Sequence, residues 1–267
     1  MSRRLGQHFL VRRSVINRIV RALHLSATDR VLEIGPGRGA LTAALSPRVE
    51  KLLAVEKDAA LHDWLKGRFA SHPGILLMRG DFLELAWSTV QETLGGGFKV
   101  VSNLPYEAAT AILLKILREF PPSTELVLMF QKEVAERLLA RPHTKDFGSL
   151  TVWTQIQAKV RPLFDVPPAA FIPPPKIHST VLWFRLRDRP LVAPERFPNF
   201  ERLLKAGFAH RRKMLRQNLR AFFQGETAEA IENRLREIEA NPQARAEELS
   251  VEQWVRIFTE PRYPPRR

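Results

Sequence analysis

The segment NLPY at residues 103–106 directly follows the apolar residues Val100 and Val101 and precedes a helix-like stretch. One interpretation is a strand-to-helix turn. In that turn the Asn103 side chain caps the helix, Pro105 fixes the backbone φ angle and the Tyr106 ring has a packing role. The other is a binding site for a flat, polar ligand. In that case Asn103 offers an amide oxygen, Leu104 a carbonyl stiffened by the following proline, and the tyrosine a ring on which to stack.

A second candidate site is the glycine-rich stretch EIGPGRG at residues 33–39, which follows one apolar run and opens a helical pattern. Gly35 and Gly37 would let the backbone approach a ligand closely. Glu56 ends the next apolar run, where a carboxylate can accept both hydroxyls of a ribose. The pattern predicts a nucleotide-type cofactor, and at this point both NAD and S-adenosylmethionine qualify.

Three features favour S-adenosylmethionine over NAD. The glycine spacing is G-x-G-x-G and includes Pro36, so the dinucleotide spacing G-x-G-x-x-G is not met. Glu33 precedes the glycines and suits a cationic ligand better than a pyrophosphate. Asp81, in the GDF stretch at residues 80–82, can accept from an adenine amino group. The alternative for both acids is a helix cap or a surface salt bridge, but the four elements together favour the cofactor site.

The elements that must position these residues follow an alternating pattern of strands and helices. Apolar runs that indicate strands occur at residues 30–35, 51–56, 75–81, 95–103, 125–131, 158–166 and 178–187. Helical patterns follow the first, second, fourth and fifth runs, which predicts βαβ units and a mostly parallel sheet covered on both faces. A proline-rich loop, PPAAFIPPPK, joins the last two. The fold class is therefore α/β.

The composition change near residue 187 predicts two domains. Residues 187–197 are linker-like, and only helical patterns follow. One of these begins with a capping box from Ser250 to Gln253. We expect an α/β domain over residues 1–187 and a small α-helical domain over residues 188–267.

The net charge of +14 favours a polyanionic partner, most plausibly RNA or DNA, over a merely solvated basic surface. The basic residues most suited to this contact fall in an N-terminal arm and a later cluster: Arg3, Arg4, Arg12 and Arg13, then Arg211, Arg212, Lys213, Arg216 and Arg220. Part of that cluster could instead bracket a core helix, because the helix also has an apolar side.

Other classes of protein are disfavoured by composition. With no cysteine the chain has no disulfide or thiolate metal site, and the histidines show no metal-ligand spacing. The apolar runs are too short to span a bilayer, and we see no signal peptide. Together these features predict a cytoplasmic protein without a membrane partner, which we expect to be a monomer.

Seven ordered sequence blocks resemble the ribosomal RNA adenine N6-dimethyltransferases, in particular the bacterial small-subunit type. The blocks are GQHFL (6–10), EIGPGRGALT (33–42), AVEKD (54–58), GDFL (80–83), NLPY (103–106), QKEVAERL (131–138) and FIPPPKIHSTV (171–181). The resemblance implies a seven-stranded, Rossmann-like class I methyltransferase domain that binds S-adenosylmethionine, and a helical domain that contacts RNA or the ribosome. It also implies a substrate of two adjacent adenosines in a hairpin near the 3′ end of 16S rRNA, each receiving two methyl groups.

The resemblance also assigns site residues. The implied cofactor contacts are His8, Leu10, Gly35, Gly37, Glu56, Asp81, Phe82 and Asn103. The implied catalytic residues are Asn103, Leu104, Pro105, Tyr106 and Phe171, with Tyr106 and Phe171 stacking on opposite faces of the adenine. Phe171 could alternatively anchor its loop in the core. Two departures from the family pattern are His8, where the family usually has Asn, and the residues Glu107 to Thr110 that follow NLPY.

Two related classes remain as alternatives. The large-subunit dimethyltransferases that confer antibiotic resistance share nearly the same motifs, but the FIPPPKIHST loop and the RRKMLRQNL helix favour the small-subunit type. A non-catalytic nucleic-acid-binding factor on this fold would have no use for Glu56, Asp81 and NLPY, so their presence argues against it.

Overall fold

The computed structural model describes residues 7–259 of the chain. The strands are β1 (Phe9–Leu10), β2 (Arg30–Ile34), β3 (Lys51–Glu56), β4 (Ile75–Arg79), β5 (Lys99–Asn103), β6 (Glu125–Gln131), β7 (Ala158–Val166), β8 (Phe171–Ile172) and β9 (Ser179–Leu186). The helices are α1 (Arg13–Ala22), α2 (Ala40–Leu45), α3 (Ala59–Arg68), α4 (Trp87–Leu94), α5 (Ala109–Glu119), α6 (Lys132–Leu139), α7 (Ser149–Gln157), α8 (Phe197–Gly207), α9 (Leu215–Leu219), α10 (Ala228–Glu237) and α11 (Val251–Thr259). None of them is long and apolar enough to cross a lipid bilayer.

Seven strands form one sheet in the order β4-β3-β2-β5-β6-β9-β7, which confirms the expected seven-stranded α/β fold. Strands β2 to β6 pair in parallel, and β9 runs antiparallel to β6. The chain winds outward from β2 through β3 to β4, then returns to place β5 on the other side of β2. The crevice between β2 and β5 is therefore the topological switch point, where open α/β sheets bind ligands.

The central strands form where the sequence has continuous apolar runs. Strand β3 is buried over Leu52 to Glu56, whereas β4, at the edge of the sheet, is only partly buried. This is the pattern of a parallel sheet covered by helices on both faces. The Asp58 side chain caps α3, since its Oδ1 accepts the Ala60 and Leu61 N–H groups at 2.9 and 3.1 Å.

A separate two-stranded ribbon, which the sequence patterns did not predict, pairs β1 with β8. Leu10 lies opposite Phe171 and Phe9 lies opposite Ile172, in antiparallel register. The ribbon is extended by the Val11 N–H, which donates to the Ala170 carbonyl at 2.9 Å. It ties the N-terminal segment to the proline-rich loop across more than 160 positions of sequence.

The chain divides into two compact units. The first contains the residues up to Ala135 together with Lys159–Leu186, and the second contains Glu136–Ala158 together with the residues from Arg187 onward. The expected boundary near residue 187 coincides with one of these junctions, but residues 136–158, assigned above to the first domain, group with the helical unit. The reason is visible in α7, which is buried along most of its length and whose last carbonyls accept the Arg187 and Leu191 N–H groups.

Within the helical unit, large side chains such as Trp254, Phe200 and Phe223 are fully buried. The predicted capping box at the start of α11 is confirmed. The Gln253 N–H donates to the Ser250 hydroxyl at 3.1 Å, and the Ser250 N–H donates to the Gln253 side-chain oxygen at 2.9 Å.

Candidate functional site

A cavity of about 280 Å³ opens at the carboxyl edge of the sheet, where β2, β3, β4 and β5 end. Its size is close to the lower end of the range for small-molecule pockets. The wall includes eleven of the twelve cofactor and catalytic residues expected from the sequence: His8, Leu10, Gly35, Gly37, Glu56, Asp81, Phe82, Asn103, Leu104, Pro105 and Tyr106. The structure therefore brings both motifs to one site.

The floor of the cavity is the glycine turn after β2. Gly35 and Gly37 have φ values of 65° and 57°, in the left-handed region that side-chain-bearing residues rarely adopt. A Cβ atom on Gly35 would meet only the Pro105 ring, at 3.9 Å, so a side chain there would project into the cavity. A Cβ atom on Gly37 would lie 3.1 Å from the Phe9 ring. The turn thus exposes backbone where a ligand can approach closely.

The Glu56 carboxylate at the end of β3 is fixed by two backbone groups. Its Oε2 accepts the Gly37 N–H at 3.0 Å and its Oε1 accepts the Asp58 N–H at 2.9 Å. Burial raises the pKa of this carboxyl, and the two backbone hydrogen bonds oppose that rise. Each oxygen keeps an accepting position, so the group can receive a pair of hydroxyl donors.

Glu33 lies beneath the glycine turn and is 1% exposed. Its Oε2 accepts a hydrogen bond from the Thr42 hydroxyl at 2.7 Å, across the start of α2. Burial raises the pKa of Glu33 to about 7 despite this bond. Glu33 is therefore not a surface ion pair, whereas its hydrogen bonds with Thr42 in the first turn of α2 fit the helix-cap alternative.

Asp81 forms part of the wall beyond β4. Its Oδ2 accepts from the Lys57 ammonium at 2.5 Å, and its Oδ1 accepts the Leu83 N–H at 2.9 Å. The Lys57 hydrogen bond is the main reason that the pKa of Asp81 lies below its usual value. The neighbouring Phe82 is buried, with its ring centroid 6.1 Å from that of Phe120.

These groups define the kind of cofactor that the cavity accepts. Four carboxyl groups, Glu33, Glu56, Asp58 and Asp81, line it together with the glycine turn. The Lys57 charge is offset by Asp81, so a pyrophosphate would meet mainly acidic groups, whereas a cationic ligand with a ribose and an adenine would not. Among residues 7–259, no cluster of three or more His, Asp or Glu side chains could hold a metal ion. The residues fit S-adenosylmethionine.

Asn103 ends β5 on the other side of the switch point. Its Nδ2 donates to the backbone carbonyl of His8 at 3.2 Å. Because a carbonyl can only accept, this contact fixes the orientation of the amide. The Oδ1 atom is then left without a donor among the residues that the structure describes, in a side chain that lines the cavity.

Tyr106 lines the same wall as Asn103, and both its hydroxyl and its ring contact other side chains. Its hydroxyl hydrogen-bonds the Ser179 hydroxyl at 2.8 Å, and burial raises the pKa of the phenol. Its ring centroid lies 5.6 Å from that of His8, with 35° between the ring planes. His8 also donates from Nδ1 to the Pro173 carbonyl at 2.8 Å. The bond to Ser179 and the Pro173 contact were not anticipated, and no local sequence signal indicates them.

The expectation that Phe171 forms the second face of an adenine pocket is wrong for this structure. Phe171 is 2% exposed and packs in the core cluster that includes Leu10 and Ile19. Its side chain is not part of the cavity wall. The alternative interpretation, a loop anchor, describes the residue correctly.

The expected basic cluster in the helical unit divides into two groups. Arg211 donates to the backbone carbonyls of Lys145 and Phe147, and Arg216 forms an ion pair with Glu232. These two side chains hold the unit together. Three other members are exposed and have no partner among the described residues: Arg212, Lys213 and Arg220.

The expected N-terminal arm is only partly visible. Arg12 and Arg13 are exposed at the start of α1. Arg3 and Arg4 lie outside the described residues.

Comparison with known proteins identifies the family. The ribosomal RNA adenine dimethylase family matches residues 1–262. The ribosomal RNA small subunit methyltransferase A of Picosynechococcus sp. is 41% identical over 96% of this chain and 95% of its own length.

Two solved structures share the fold over most of the chain. The dimethyladenosine transferase of Plasmodium falciparum has a TM-score of 0.81 at 22% identity, covering 95% of this chain and 97% of its own. The 23S rRNA methyltransferase ErmE has a TM-score of 0.72 at 26% identity, covering 94% of this chain and 98% of its own. The chain therefore belongs to the ribosomal RNA adenine dimethylases, which are S-adenosylmethionine-dependent enzymes with a Rossmann-like methyltransferase fold.

Proposed function

We propose that the protein transfers methyl groups to N6 of two adjacent adenosines in the 3′-terminal hairpin of 16S rRNA, giving N6,N6-dimethyladenosines. The observation that carries this proposal is the orientation of Asn103. Its amide is fixed by the His8 carbonyl so that Oδ1 is available at the cavity, on the opposite side of the switch point from Glu56.

The cofactor side of the cavity consists of Gly35, Gly37, Glu56 and Asp81. S-adenosylmethionine supplies an activated methyl group on a positively charged sulfur. Glu56 would accept the ribose hydroxyls, because its two oxygens are already aimed by the Gly37 and Asp58 amides. Asp81 would accept from the adenine amino group of the cofactor, with Lys57 and the Leu83 amide holding the carboxylate in place. His8, Leu10, Phe82 and Asn103, which also line the cavity, complete the assigned cofactor contacts.

The target side consists of residues 103–106 together with His8. The amino nitrogen of adenine is a poor nucleophile because its lone pair is delocalised into the ring. The Asn103 oxygen and the Leu104 carbonyl would accept hydrogen bonds from its two N–H groups and draw the nitrogen toward tetrahedral geometry, which frees the lone pair to attack the methyl carbon. As the N–C bond formed, the bond from that carbon to the sulfonium sulfur would break, and one N–H proton would be lost to solvent. The N–H that remains would allow a second transfer after the base rotates or rebinds. Tyr106 would stack on one face of the extruded base, a contact worth about 1–3 kcal/mol. Positioning of this kind requires no strong base.

The small-subunit substrate is favoured over the large-subunit one. The relative at 41% identity is named for the small subunit, whereas ErmE, named for 23S rRNA, is 26% identical. We further propose that the protein acts as a cytoplasmic monomer on the small subunit or its precursor. Within the helical unit, Arg212, Lys213 and Arg220 are the cluster members available to contact RNA phosphates.

The experiment is methylation of ribosomal subunits that lack the modification. Purified protein is incubated with labelled methyl donor and either small or large subunits, and the modified bases are mapped. We expect label only in the small subunit, at two neighbouring adenosines, each carrying two methyl groups. Label in 23S rRNA would instead identify the protein as a large-subunit dimethyltransferase of the class that confers antibiotic resistance. Cofactor binding without any label would support a non-catalytic nucleic-acid-binding factor.

A further inference from the structure

The β1–β8 ribbon presents an exposed apolar side chain, Ile172, which is the cross-strand neighbour of a residue that lines the cavity. Ile172 is 57% exposed, the most exposed large apolar side chain in the described part of the chain. Its neighbour in sequence, Phe171, is buried. Side chains alternate between faces along a strand, so burial of Phe171 places Ile172 on the outer face.

The ribbon register puts this outer face beside the cavity. Ile172 lies directly opposite Phe9, and directly opposite residues in an antiparallel pair project their side chains on the same face, with Cβ atoms about 4.5–5.5 Å apart. Phe9 lines the cavity. Ile172 therefore stands at the rim next to the Phe9 ring.

The position of Ile172 is held rigidly by its neighbours. The ribbon fixes the backbone on one side, and the Pro173 carbonyl accepts the His8 Nδ1–H at 2.8 Å on the other. His8 in turn accepts from the Asn103 amide through its own carbonyl. The exposed side chain is thus coupled by direct contacts to the target side of the cavity.

The charge around this rim suits a nucleic acid. The Arg38 guanidinium lies 4.6 Å from the centroid of the Phe9 ring, and Arg38 is exposed. Arg12, Arg13 and Lys176 are exposed on segments that adjoin the ribbon. An apolar side chain with cations on the adjoining segments is suited to a base flanked by phosphates.

We propose that Ile172 packs against the base that remains in the RNA next to the extruded adenine. Extrusion removes that base's stacking partner, and proteins that unstack nucleic acids commonly offer Ile, Leu, Phe or Pro as a replacement. Ile172 is then a positioning residue that stabilises the extruded state of the target and does not contact the cofactor. This inference rests on the adenine methylation proposed above.

The test is the Ile172→Ser variant, assayed with unmethylated small subunits. Because Ile172 acts after the RNA has bound, kcat should fall roughly tenfold, while KM for the subunit changes less than about twofold. Ile172→Leu keeps an apolar contact and should restore turnover. Leu76→Ser, at an exposed position on the edge strand β4, is the matched control and should behave like the wild type.

Three outcomes would overturn the proposal. The first is Ile172→Ser turnover within about twofold of the wild type. The second is a raised KM with unchanged kcat, which would indicate docking of a ribosomal surface and not support of an extruded base. The third is loss of cofactor affinity or of melting temperature in step with turnover, which would indicate a structural role. Failure of the wild-type enzyme to methylate adenosines would instead refute the proposed function.

Discussion

The two sides of the cavity differ in where their support comes from. On the cofactor side, each carboxylate is held by an amide two residues after it and by a group that follows the neighbouring strand of the sheet. Glu56 is bonded by the amide two residues later and by Gly37, and Asp81 by the amide two residues later and by Lys57. On this side, amides two residues away and the pairing of adjacent parallel strands determine the geometry.

On the target side, support comes from sequence-distant segments. The Asn103 amide is oriented by residue 8, the Tyr106 hydroxyl by Ser179, and His8 itself by Pro173. The arrangement exists only after the N-terminal segment and the proline-rich loop have paired. The comparison implies that the two sides can be damaged independently, so cofactor affinity and turnover should respond to different substitutions.

The largest effect is expected for Asn103→Ala. Loss of the amide oxygen should lower kcat by roughly 100- to 1000-fold, the range seen when a single transition-state hydrogen-bond partner is removed, while cofactor affinity falls much less. Asn103→Asp keeps an oxygen acceptor but cannot donate to the His8 carbonyl, so its kcat should be intermediate. Single-turnover methylation and calorimetric titration with the cofactor measure the two quantities. A kcat near that of the wild type would remove Asn103 from the mechanism.

The second prediction concerns the buried Glu33 on the cofactor side. Its folded-state pKa of about 7 lies above the ordinary value of 4.5. The folded protein therefore binds this proton more tightly than the unfolded chain. The stability that the protonated form contributes is fully present below pH 4.5 and is lost as the pH rises through 7, amounting to about 3 kcal/mol at 1.36 kcal/mol per pH unit.

Comparison with Glu33→Gln isolates this effect, because the amide does not titrate. The free energy of unfolding of the wild type should fall relative to that of the variant between pH 5 and pH 8, as measured by urea denaturation at several pH values. Parallel pH dependence of the two proteins would show that Glu33 is not the group responsible.

Glu56→Ala should affect the cofactor side alone. Hydrogen bonds to a charged acceptor are each worth about 1.5–3 kcal/mol, so the Kd for the cofactor should rise roughly 10- to 100-fold. At saturating cofactor, kcat should change little, since the target side is built from other segments. Glu56→Gln retains one acceptor oxygen for the Gly37 N–H, so its Kd for the cofactor should lie between those of the wild type and Glu56→Ala. Equal losses in Kd and kcat would contradict the separation of the two sides.

Sequence patterns predicted most of the central sheet and the cofactor side, because both depend on signals that lie close together in the sequence. Each parallel strand is a continuous apolar run, and each functional residue follows its strand within a few positions, so topology alone brings them together. The spacing around Gly35 and the acid at residue 56 are local signals of this kind. The boundaries of β3, β6 and β7 coincide with the apolar runs from which they were predicted.

The sequence could not predict features that depend on pairing between distant segments. Strands β1 and β8 have two residues each, too short for a periodic pattern, and their register decides that Phe171 is buried while Ile172 is exposed. The role of Arg216 was missed for a similar reason, because its partner Glu232 lies on another helix. Residues 136–158 precede the linker-like stretch at 187–197 and were therefore assigned to the first domain, and only their tertiary contacts group them with the helical unit.

The smallest effect is expected for His8, and it separates the two contributions of that side chain. His8→Ala removes the hydrogen bond to the Pro173 carbonyl and the ring beside Tyr106, but keeps the backbone carbonyl that orients Asn103. With a net value of about 1 kcal/mol for the lost bond, kcat/KM for the subunit should fall about fivefold.

His8→Asn is the matched control for this prediction. Asn Nδ2 and His Nδ1 both lie one bond beyond Cγ, so the Asn variant can restore the bond to Pro173 without restoring the ring. Recovery of full activity in His8→Asn would show that the long-range hydrogen bond is what the target side requires. Equal losses in His8→Asn and His8→Ala would show that the ring contact with Tyr106 is the effective part. If cofactor affinity falls in both variants while turnover at saturating cofactor is unchanged, His8 belongs to the cofactor side, and the boundary between the two sides must be redrawn.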